Sequence, residues 1–327
     1  MSRLTLIGAP LDLGSAWRGS GGGPEALRAG GLAAALRESG WDVADASNVV
    51  AITDRVGKTV DGCASLNEVA AACRAVRDAA SGALAMGRMP LLLGGDHSLA
   101  IGSIAAAAAH CARLRRPFFV LWLDAHADFN TVDSSSSGCI FGMPVAVTTG
   151  EGHPSLLAIG LARPMVEIGN FALLGVRSVD PLESVRVRER GLRVHSMDEV
   201  RRDGMDTLAR QAIERAVREG AHIHVSLDLD VLDPGEAPGV GLPEPGGTTL
   251  AETEACLRSV METGLVGSFD LMEHNPGNDP SGRTTQRVVA LMSRVLARRQ
   301  AKAGGNCHPN RLRPTQSHDA EFADSGA

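Results

Sequence analysis

The chain is predicted to fold as an α/β protein with three layers, in which helices cover both faces of a central, mostly parallel sheet of about eight strands. Short apolar or β-branched runs alternate with longer segments whose apolar residues recur at three- and four-residue spacing. This alternation is typical of a parallel sheet that is buried on both faces. Hydrophobic residues make up 44% of the chain, so a sizeable core can form.

Eight short runs are predicted to be strands. In chain order they are Leu4–Gly8, Trp41–Asp45, Met89–Leu93, Phe118–Asp124, Phe171–Val176, Leu192–His195, His222–Asp228 and Val266–Leu271. Six segments between or after them have helical spacing and enough length to cross from one strand to the next. They are Pro24–Glu38, Leu66–Met86, Leu99–Leu114, Asp206–Glu219, Leu250–Thr263 and Thr285–Arg298.

The chain has neither an internal repeat nor a Pro/Gly-rich linker that would divide it into halves. Residues 1–298 are therefore predicted to form a single domain. Residues 299–327 contain almost no apolar side chains and several helix breakers, which predicts a polar, disordered C-terminal tail.

Charge and cysteine usage narrow the class of protein. The net charge is −6, and no basic run is interleaved with aromatic residues, so we expect neither a nucleic-acid nor a membrane partner. The six cysteines are scattered without a CxxC pair, which indicates reduced thiols. The N-terminus lacks the features of a signal peptide, and no apolar run reaches about 18 residues, so the predicted location is the cytoplasm.

Acidic and histidine residues follow three of the predicted strands. Ligands of α/β sheets bind beyond the carboxyl ends of the strands, so these positions are candidates for a functional site. Residues i and i+2 of an extended segment share a face, which would bring side chains of this spacing together. The candidates are His97, Asp124, His126, Asp128, Asp228 and Asp230.

A metal site explains this set better than separate structural roles do. Carboxylates at this density would repel one another and have raised pKa values unless a cation neutralised them. Four carboxylates and two imidazoles exceed the needs of one ion, and bridging carboxylates build two-metal sites with ions ~3.5–4 Å apart. The oxygen-rich, thiol-free donors favour an ion such as Mn²⁺ over structural zinc.

Four motifs, GGDHS, DAHADFN, SLDLDVLDP and DLMEHNP, resemble in order and spacing those of the arginase/agmatinase (ureohydrolase) family, and arginase most of all. The resemblance covers roughly residues 4–298, including the opening segment GAPLDLGSAWRGSGGGPEALR. It implies an arginase-like fold and two manganese ions per subunit. It also implies a homotrimer or homohexamer and a small guanidino compound as substrate.

The resemblance assigns roles within the candidate site. Asp124 and Asp228 would bridge the two manganese ions. His97 and Asp128 would complete one ion, and His126 and Asp230 the other. A bridging water of lowered pKa would become the hydroxide that attacks the guanidinium carbon, and the tetrahedral intermediate would collapse to urea and an amine. Asp128 would also carry a proton to the leaving amine, and Glu273 would hold the guanidinium by opposite charge.

L-Arginine is the predicted substrate, with L-ornithine and urea as products. The segment DFNTVDSSSSG resembles the arginase loop in which Asn130 and Ser137 contact the α-carboxylate. The segment GVRSVDPLE resembles the one in which Asp180 and, through water, Glu183 meet the α-amine. The serine run could equally be a flexible loop, and Asp180 a turn residue before proline.

Three residues depart from the family pattern. Where the family usually has SGNxHGMP, this chain has SGCIFGMP, which places Cys139 and Phe141 at the positions of an asparagine and a histidine. The missing imidazole is the family's proton shuttle, and His153 and His274 are the nearest replacements in the sequence. Leu242 stands where arginases often have threonine.

These departures leave two alternatives to an arginase open. One is a ureohydrolase for another guanidino acid or amine, such as guanidinobutyrate or agmatine. The other is a metal-binding member of the family with reduced or lost activity.

Overall fold

The computed structural model describes residues 2–49 and 59–297, and eight strands within them form one sheet. The strands are β1 (Arg3–Ala9), β2 (Asp42–Asn48), β3 (Met89–Gly94), β4 (Phe118–Leu123), β5 (Phe171–Val176), β6 (Arg193–Ser196), β7 (His222–Asp228) and β8 (Val266–Met272). Their order is β2-β1-β3-β8-β7-β4-β5-β6, and every pair of neighbours is parallel. The predicted fold class is confirmed.

Helices cover the sheet on both faces. They are α1 (Gly23–Ala29), α2 (Leu32–Glu38), α3 (Leu66–Ala85), α4 (Ala100–Leu114), α5 (Pro144–Thr148), α6 (Pro154–Leu157), α7 (Pro181–Arg190), α8 (Met197–Asp203), α9 (Met205–Arg218), α10 (Leu250–Met261) and α11 (Arg283–Val295). One apolar core lies under α1, α2 and α8–α11, and the other lies under α3–α6. Alternate residues of β4 enter opposite cores, so the strand is apolar throughout.

The predicted helix Pro24–Glu38 is wrong as a single element. It consists of two short helices, α1 and α2, that are separated by Gly30 and Gly31. Gly31 has φ of 86°, a left-handed conformation that glycine adopts without the steric cost of a Cβ atom. The chain therefore turns between α1 and α2, and both can bury their leucines against the sheet.

The described residues belong to one compact unit. None of their helices is long and apolar enough to cross a membrane. The predicted tail 299–327 and Arg298, the last residue of the predicted final helix, lie outside the described residues. The domain boundary at residue 298 stays a prediction.

His222, the first residue of β7, is an unusual core residue because its side chain is polar and only 2% of the residue is exposed. Its ring Nε2 lies 2.8 Å from Ser268 Oγ of β8. Burial, followed by the nearby His224, Arg116 and His110, lowers the pKa of His222 to about 3. The imidazole is therefore neutral in the folded protein at neutral pH.

We expect His222 to make the fold sensitive to acid. The unfolded chain protonates this histidine near pH 6.5 and the folded chain near pH 3, so its contribution to stability is lost as the pH falls through this interval. At pH 5 the lost stability is about 2 kcal/mol. Urea unfolding of the metal-free protein gives the free energy of unfolding at pH 7 and at pH 5. The difference between the two pH values should be smaller by that amount in His222→Gln than in the wild type. An unchanged difference would contradict the prediction.

Candidate metal centre and active site

The six predicted metal ligands come together at the carboxyl edge of four adjacent strands, β3, β8, β7 and β4. Asp228 ends β7, and Asp230 lies in the short 3₁₀ turn Leu229–Val231 that follows. Asp124 follows β4 directly, because this strand ends at Leu123, one residue earlier than predicted. Five of the six residues are buried, and the side chain of His126 is 18% exposed.

His97 faces three carboxylates with one ring nitrogen. Its Nδ1 lies 3.0 Å from Asp228 Oδ2, 3.1 Å from Asp124 Oδ2 and 3.4 Å from Asp128 Oδ2. Ligand atoms of His97, Asp124 and Asp228 lie within 4.8 Å of one another, close enough to hold one ion.

A second group of donors uses the other oxygen of Asp124. His126 Nδ1 lies 3.4 Å from Asp124 Oδ1 and 2.9 Å from Asp230 Oδ2. Ligand atoms of these three residues also lie within 4.8 Å of one another. The two groups therefore overlap at Asp124, as adjacent ions that share a carboxylate require.

The charges of the cluster favour the binding of cations. Burial and the charges of neighbouring carboxylates raise the pKa of Asp128 and of Asp228 well above its usual range. Burial also opposes ionisation of Asp124, but contacts with the two histidines outweigh it and lower the pKa of that carboxyl. Four buried carboxylates against two imidazoles leave negative charge uncompensated, and nitrogen and oxygen donors of this kind suit divalent metal ions. The residues fit a pair of such ions.

Trp122 supports the cluster from inside the sheet. Its Nε1 donates a hydrogen bond to Asp124 Oδ2 at 2.8 Å, and its ring stacks on His97 with centroids 3.9 Å apart and planes 11° from parallel. Sequence reasoning missed this residue because it lies in an apolar strand. Its position two residues before Asp124 was the available signal, since both then lie on one face of the strand.

Glu273 follows β8 and borders a narrow cavity beside the carboxylate cluster. It has a left-handed φ of 61°, is 5% exposed, and its Oε1 accepts a hydrogen bond from the backbone N–H of His97 at 2.9 Å. A Cβ atom at Gly241 would lie 2.8 Å from Glu273 Oε2, so only glycine leaves this oxygen open to the cavity. Burial, followed by Asp228 and Asp96, raises the pKa of Glu273 well above its usual range. A cationic group is the natural partner for such a carboxylate.

A second cavity of about 210 Å³ adjoins the cluster, and all four predicted substrate-binding residues border it. They are Asn130, Ser137, Asp180 and Glu183. Asn130 Nδ2 donates a hydrogen bond to Asp180 Oδ2 at 3.3 Å. Trp17, Phe141 and Leu242 form an apolar part of its wall, so the cavity suits a ligand with methylene groups and polar ends.

Asp180 and Glu183 also have structural roles. They form the capping box that begins α7, a helix that was not predicted. Glu183 is buried, and its Oε1 accepts a hydrogen bond from the backbone N–H of Phe129 at 2.7 Å. Burial raises the pKa of Glu183 to about 7. This residue therefore joins the loop after β4 to the start of α7.

Neither histidine suggested as a replacement shuttle borders the two cavities. His274 is buried, with Nδ1 3.0 Å from Gly239 O and Nε2 2.8 Å from Thr285 Oγ1, so both ring nitrogens have partners. His153 Nε2 lies 3.3 Å from Asp61 Oδ2. Phe141 itself packs edge-on against Trp17, with ring centroids 5.9 Å apart. Within the described residues, His126 is the one imidazole that borders both cavities.

The parallel sheet and the overlapping histidine–carboxylate groups at its carboxyl edge define the class as a three-layer α/β protein with a candidate two-metal centre. The chain belongs to the arginase family, which its sequence matches over residues 2–297. It is 38% identical to an arginase of Bacillus caldovelox over 298 residues, which cover 90% of this chain and 98% of that one.

Solved structures agree with the sequence match. The native structure of arginase from Bacillus caldovelox is 37% identical, has a TM-score of 0.86 and covers 92% of this chain and 100% of that chain. The arginase of Entamoeba histolytica in complex with L-ornithine is 26% identical, has a TM-score of 0.82 and covers 90% and 99%. The protein is an arginase-type amidinohydrolase.

Proposed function

We propose that the protein hydrolyses the guanidinium group of L-arginine to L-ornithine and urea with two manganese ions. One observation carries the proposal: two metal-ligand groups share Asp124 beside a buried Glu273, and a cavity with polar ends adjoins them. The arginase names of the relatives support it, as does the L-ornithine named with the Entamoeba histolytica enzyme.

The ligands would divide between the ions in two groups. Asp124 and Asp228 would be shared by the two ions. His97 and Asp128 would complete the ligand set of one ion, and His126 and Asp230 that of the other. The predominance of carboxylate oxygens favours manganese over metals that prefer thiolates. When bound, the pair of ions supplies Lewis-acid activation of a water molecule as the nucleophile.

The remaining steps belong to side chains of this chain. Glu273 would hold the guanidinium by opposite charge in the narrow cavity and orient its carbon toward the cluster. Asp128 borders both cavities, which supports a role in passing a proton from the attacking water to the amine nitrogen as the carbon–nitrogen bond breaks. At the other end, Asn130 and Ser137 would donate hydrogen bonds to the α-carboxylate, and Asp180 would accept from the α-ammonium.

A substrate panel tests the assignment. Urea release by the manganese-loaded protein should be fastest with L-arginine and slower with guanidinobutyrate, which lacks the α-amine and is one carbon shorter. It should be slowest with agmatine, which lacks the carboxylate. Equal turnover of guanidinobutyrate or agmatine would overturn the arginine assignment. Two bound metals without turnover of any guanidino compound would instead favour the alternative of lost activity.

Asp180→Asn provides an internal control for this panel. It should raise KM for L-arginine and leave KM for guanidinobutyrate nearly unchanged, because only arginine carries the ammonium group that Asp180 would bind. An equal change for both compounds would mean that Asp180 serves the start of α7 alone.

We expect Phe141→His to increase turnover. Phe141 borders both cavities and cannot exchange protons, whereas an imidazole there would titrate near neutral pH. The gain in kcat with L-arginine should be about tenfold or more. Phe141→Gln is the matched control, because it is polar but does not titrate. Equal kcat values for the wild type and both variants would show that a shuttle is dispensable in this enzyme.

We also propose a cytoplasmic location and assembly into a homotrimer or homohexamer. A single domain over residues 1–298, followed by a disordered tail, is proposed as well. Light scattering of the full chain during gel filtration tests the assembly. Limited proteolysis tests the domain, since it should remove residues 299–327 first and leave urea release intact.

A further inference from the structure

A row of buried polar side chains crosses the core behind the metal-ligand cluster. His97 Nε2 lies 2.9 Å from Ser226 Oγ on β7. Ser226 Oγ lies 3.5 Å from Asp270 Oδ2 on β8, and Asp270 Oδ2 lies 3.0 Å from His224 Nε2. The same Asp270 oxygen accepts a hydrogen bond from Ser103 Oγ of α4 at 2.5 Å. This carboxylate therefore connects the ring of His97 to two strands and to the helix layer above them.

The row continues to the opposite edge of the sheet. His224 Nδ1 lies 2.8 Å from Ser268 Oγ, which in turn lies 2.8 Å from Nε2 of His222 at the start of β7. All of these side chains are buried. A polar row of this length inside an apolar core requires every donor to meet an acceptor, which restricts where each hydrogen can lie.

Asp270 sets the direction of these hydrogens. A carboxylate only accepts, so His224 must present its Nε2–H to Asp270 and accept from Ser268 with Nδ1. On the other side, Ser226 donates its single hydrogen to Asp270 and can only accept from His97. The hydrogen of His97 then lies on Nε2.

The consequence for His97 is that Nε2 keeps its hydrogen, so the proton that a metal ion would displace is the one on Nδ1. This is the atom that faces Asp228, Asp124 and Asp128 at 3.0–3.4 Å, and a metal ion needs its lone pair. We propose that Asp270 is a positioning residue that acts through Ser226 to hold His97 in the tautomer that can bind metal. The proposal rests on the two-metal site of the proposed function.

The other candidate metal histidine lacks such support, which makes the proposal specific. His126 Nε2 is buried and has no hydrogen-bond partner within the described residues. The nearest carboxylate oxygen, Glu244 Oε1, lies 3.7 Å away. Loss of Asp270 should therefore weaken the ion held by His97 and spare the ion held by His126.

Asp270→Asn isolates this role with little change in shape. An amide can donate as well as accept, so Ser226 is free to donate to His97 Nε2 and place the hydrogen on Nδ1, where it blocks the metal. Replacing the carboxylate that orients a histidine by an amide selects the wrong tautomer in the same way in serine proteases. Partners of this kind typically change metal affinity 10- to 100-fold.

The experiment is a manganese titration of metal-depleted full-length protein, followed by electron paramagnetic resonance of free Mn²⁺. The wild type should bind two ions. In Asp270→Asn, one ion should retain its affinity while the other weakens about 10- to 100-fold. Asp279→Asn is the matched control, because this buried carboxylate accepts from the backbone N–H of Thr284 near the start of α11 and has no place in the row. It should bind both ions as the wild type does.

The outcomes separate the two proposals. Wild-type protein that binds fewer than two ions overturns the binuclear function and this inference with it. If the wild type binds two ions, the inference alone is overturned by either of two results in Asp270→Asn. Both affinities are unchanged, or both are weakened equally. If Asp270→Asn fails to fold, Ser226→Ala replaces it, because it removes the contact to His97 and leaves Asp270 bonded to Ser103 and His224. The same loss of one ion is expected.

Discussion

Glu273→Gln should lower kcat/KM for L-arginine by on the order of 100- to 5000-fold, because the variant leaves the guanidinium without its opposite charge in a buried site. Removing one partner of a buried ion pair costs about 3–5 kcal/mol, which corresponds to that range of rates. The glutamine oxygen can still accept the hydrogen bond from the backbone N–H of His97, so the metal ligands should keep their positions. Steady-state urea release, with manganese content measured on the same samples, checks this.

Glu236→Gln is the control for this substitution. Glu236 pairs with Arg287 at 3.1 Å and borders neither cavity, so its variant should retain wild-type activity. A loss of less than tenfold in Glu273→Gln at full manganese content would exclude Glu273 as the group that holds the guanidinium.

The strands were predictable because burial on both faces leaves little choice of residue. All eight predicted strands are present, and their ends differ from the observed ones by at most three residues. β4 illustrates the reason: Leu121 and Leu123 pack into one core, and Val120 and Trp122 pack into the other. A run without a polar position can only be accommodated between two layers of helices.

The polar helices were not predictable from apolar spacing. In α7, Glu183 is the one buried residue, so the segment lacks the apolar stripe that identified α3 or α9. The helix α7 begins with the capping box of Asp180 and Glu183, and Pro181 occupies the first helical position. The sequence indicates these two acids as substrate contacts, with a turn before proline as the alternative for Asp180 alone.

The metal-ligand candidates could be proposed from the sequence because each of them lies within a few residues of a strand end. Their supporting residues could not. Ser226 and Asp270 meet only because β7 and β8 are neighbours, and His97 reaches them only because β3 lies on the other side of β8. Helical connections separate these strands in the chain, so spacing along the sequence carries no information on which of them adjoin.

Asp124→Asn should reduce bound manganese and urea release more than the substitution of a candidate ligand that serves one ion only. Each ligand group uses a different oxygen of Asp124, so the amide leaves each ion with a weaker donor set. We expect kcat to fall by about three orders of magnitude or more, since loss of the ions removes activation of the water. Inductively coupled plasma mass spectrometry after dialysis should find far less than one ion per subunit.

Asp230→Asn is the contrasting variant, because Asp230 contacts His126 and belongs to one ligand group only. It should lose one ion and retain the ion held by His97. Because both variants exchange a buried aspartate for asparagine, a general loss of stability would lower their manganese content alike. Equal manganese content in the two variants would therefore contradict the sharing of Asp124, whereas a larger loss in Asp124→Asn follows only if one carboxylate serves both ions.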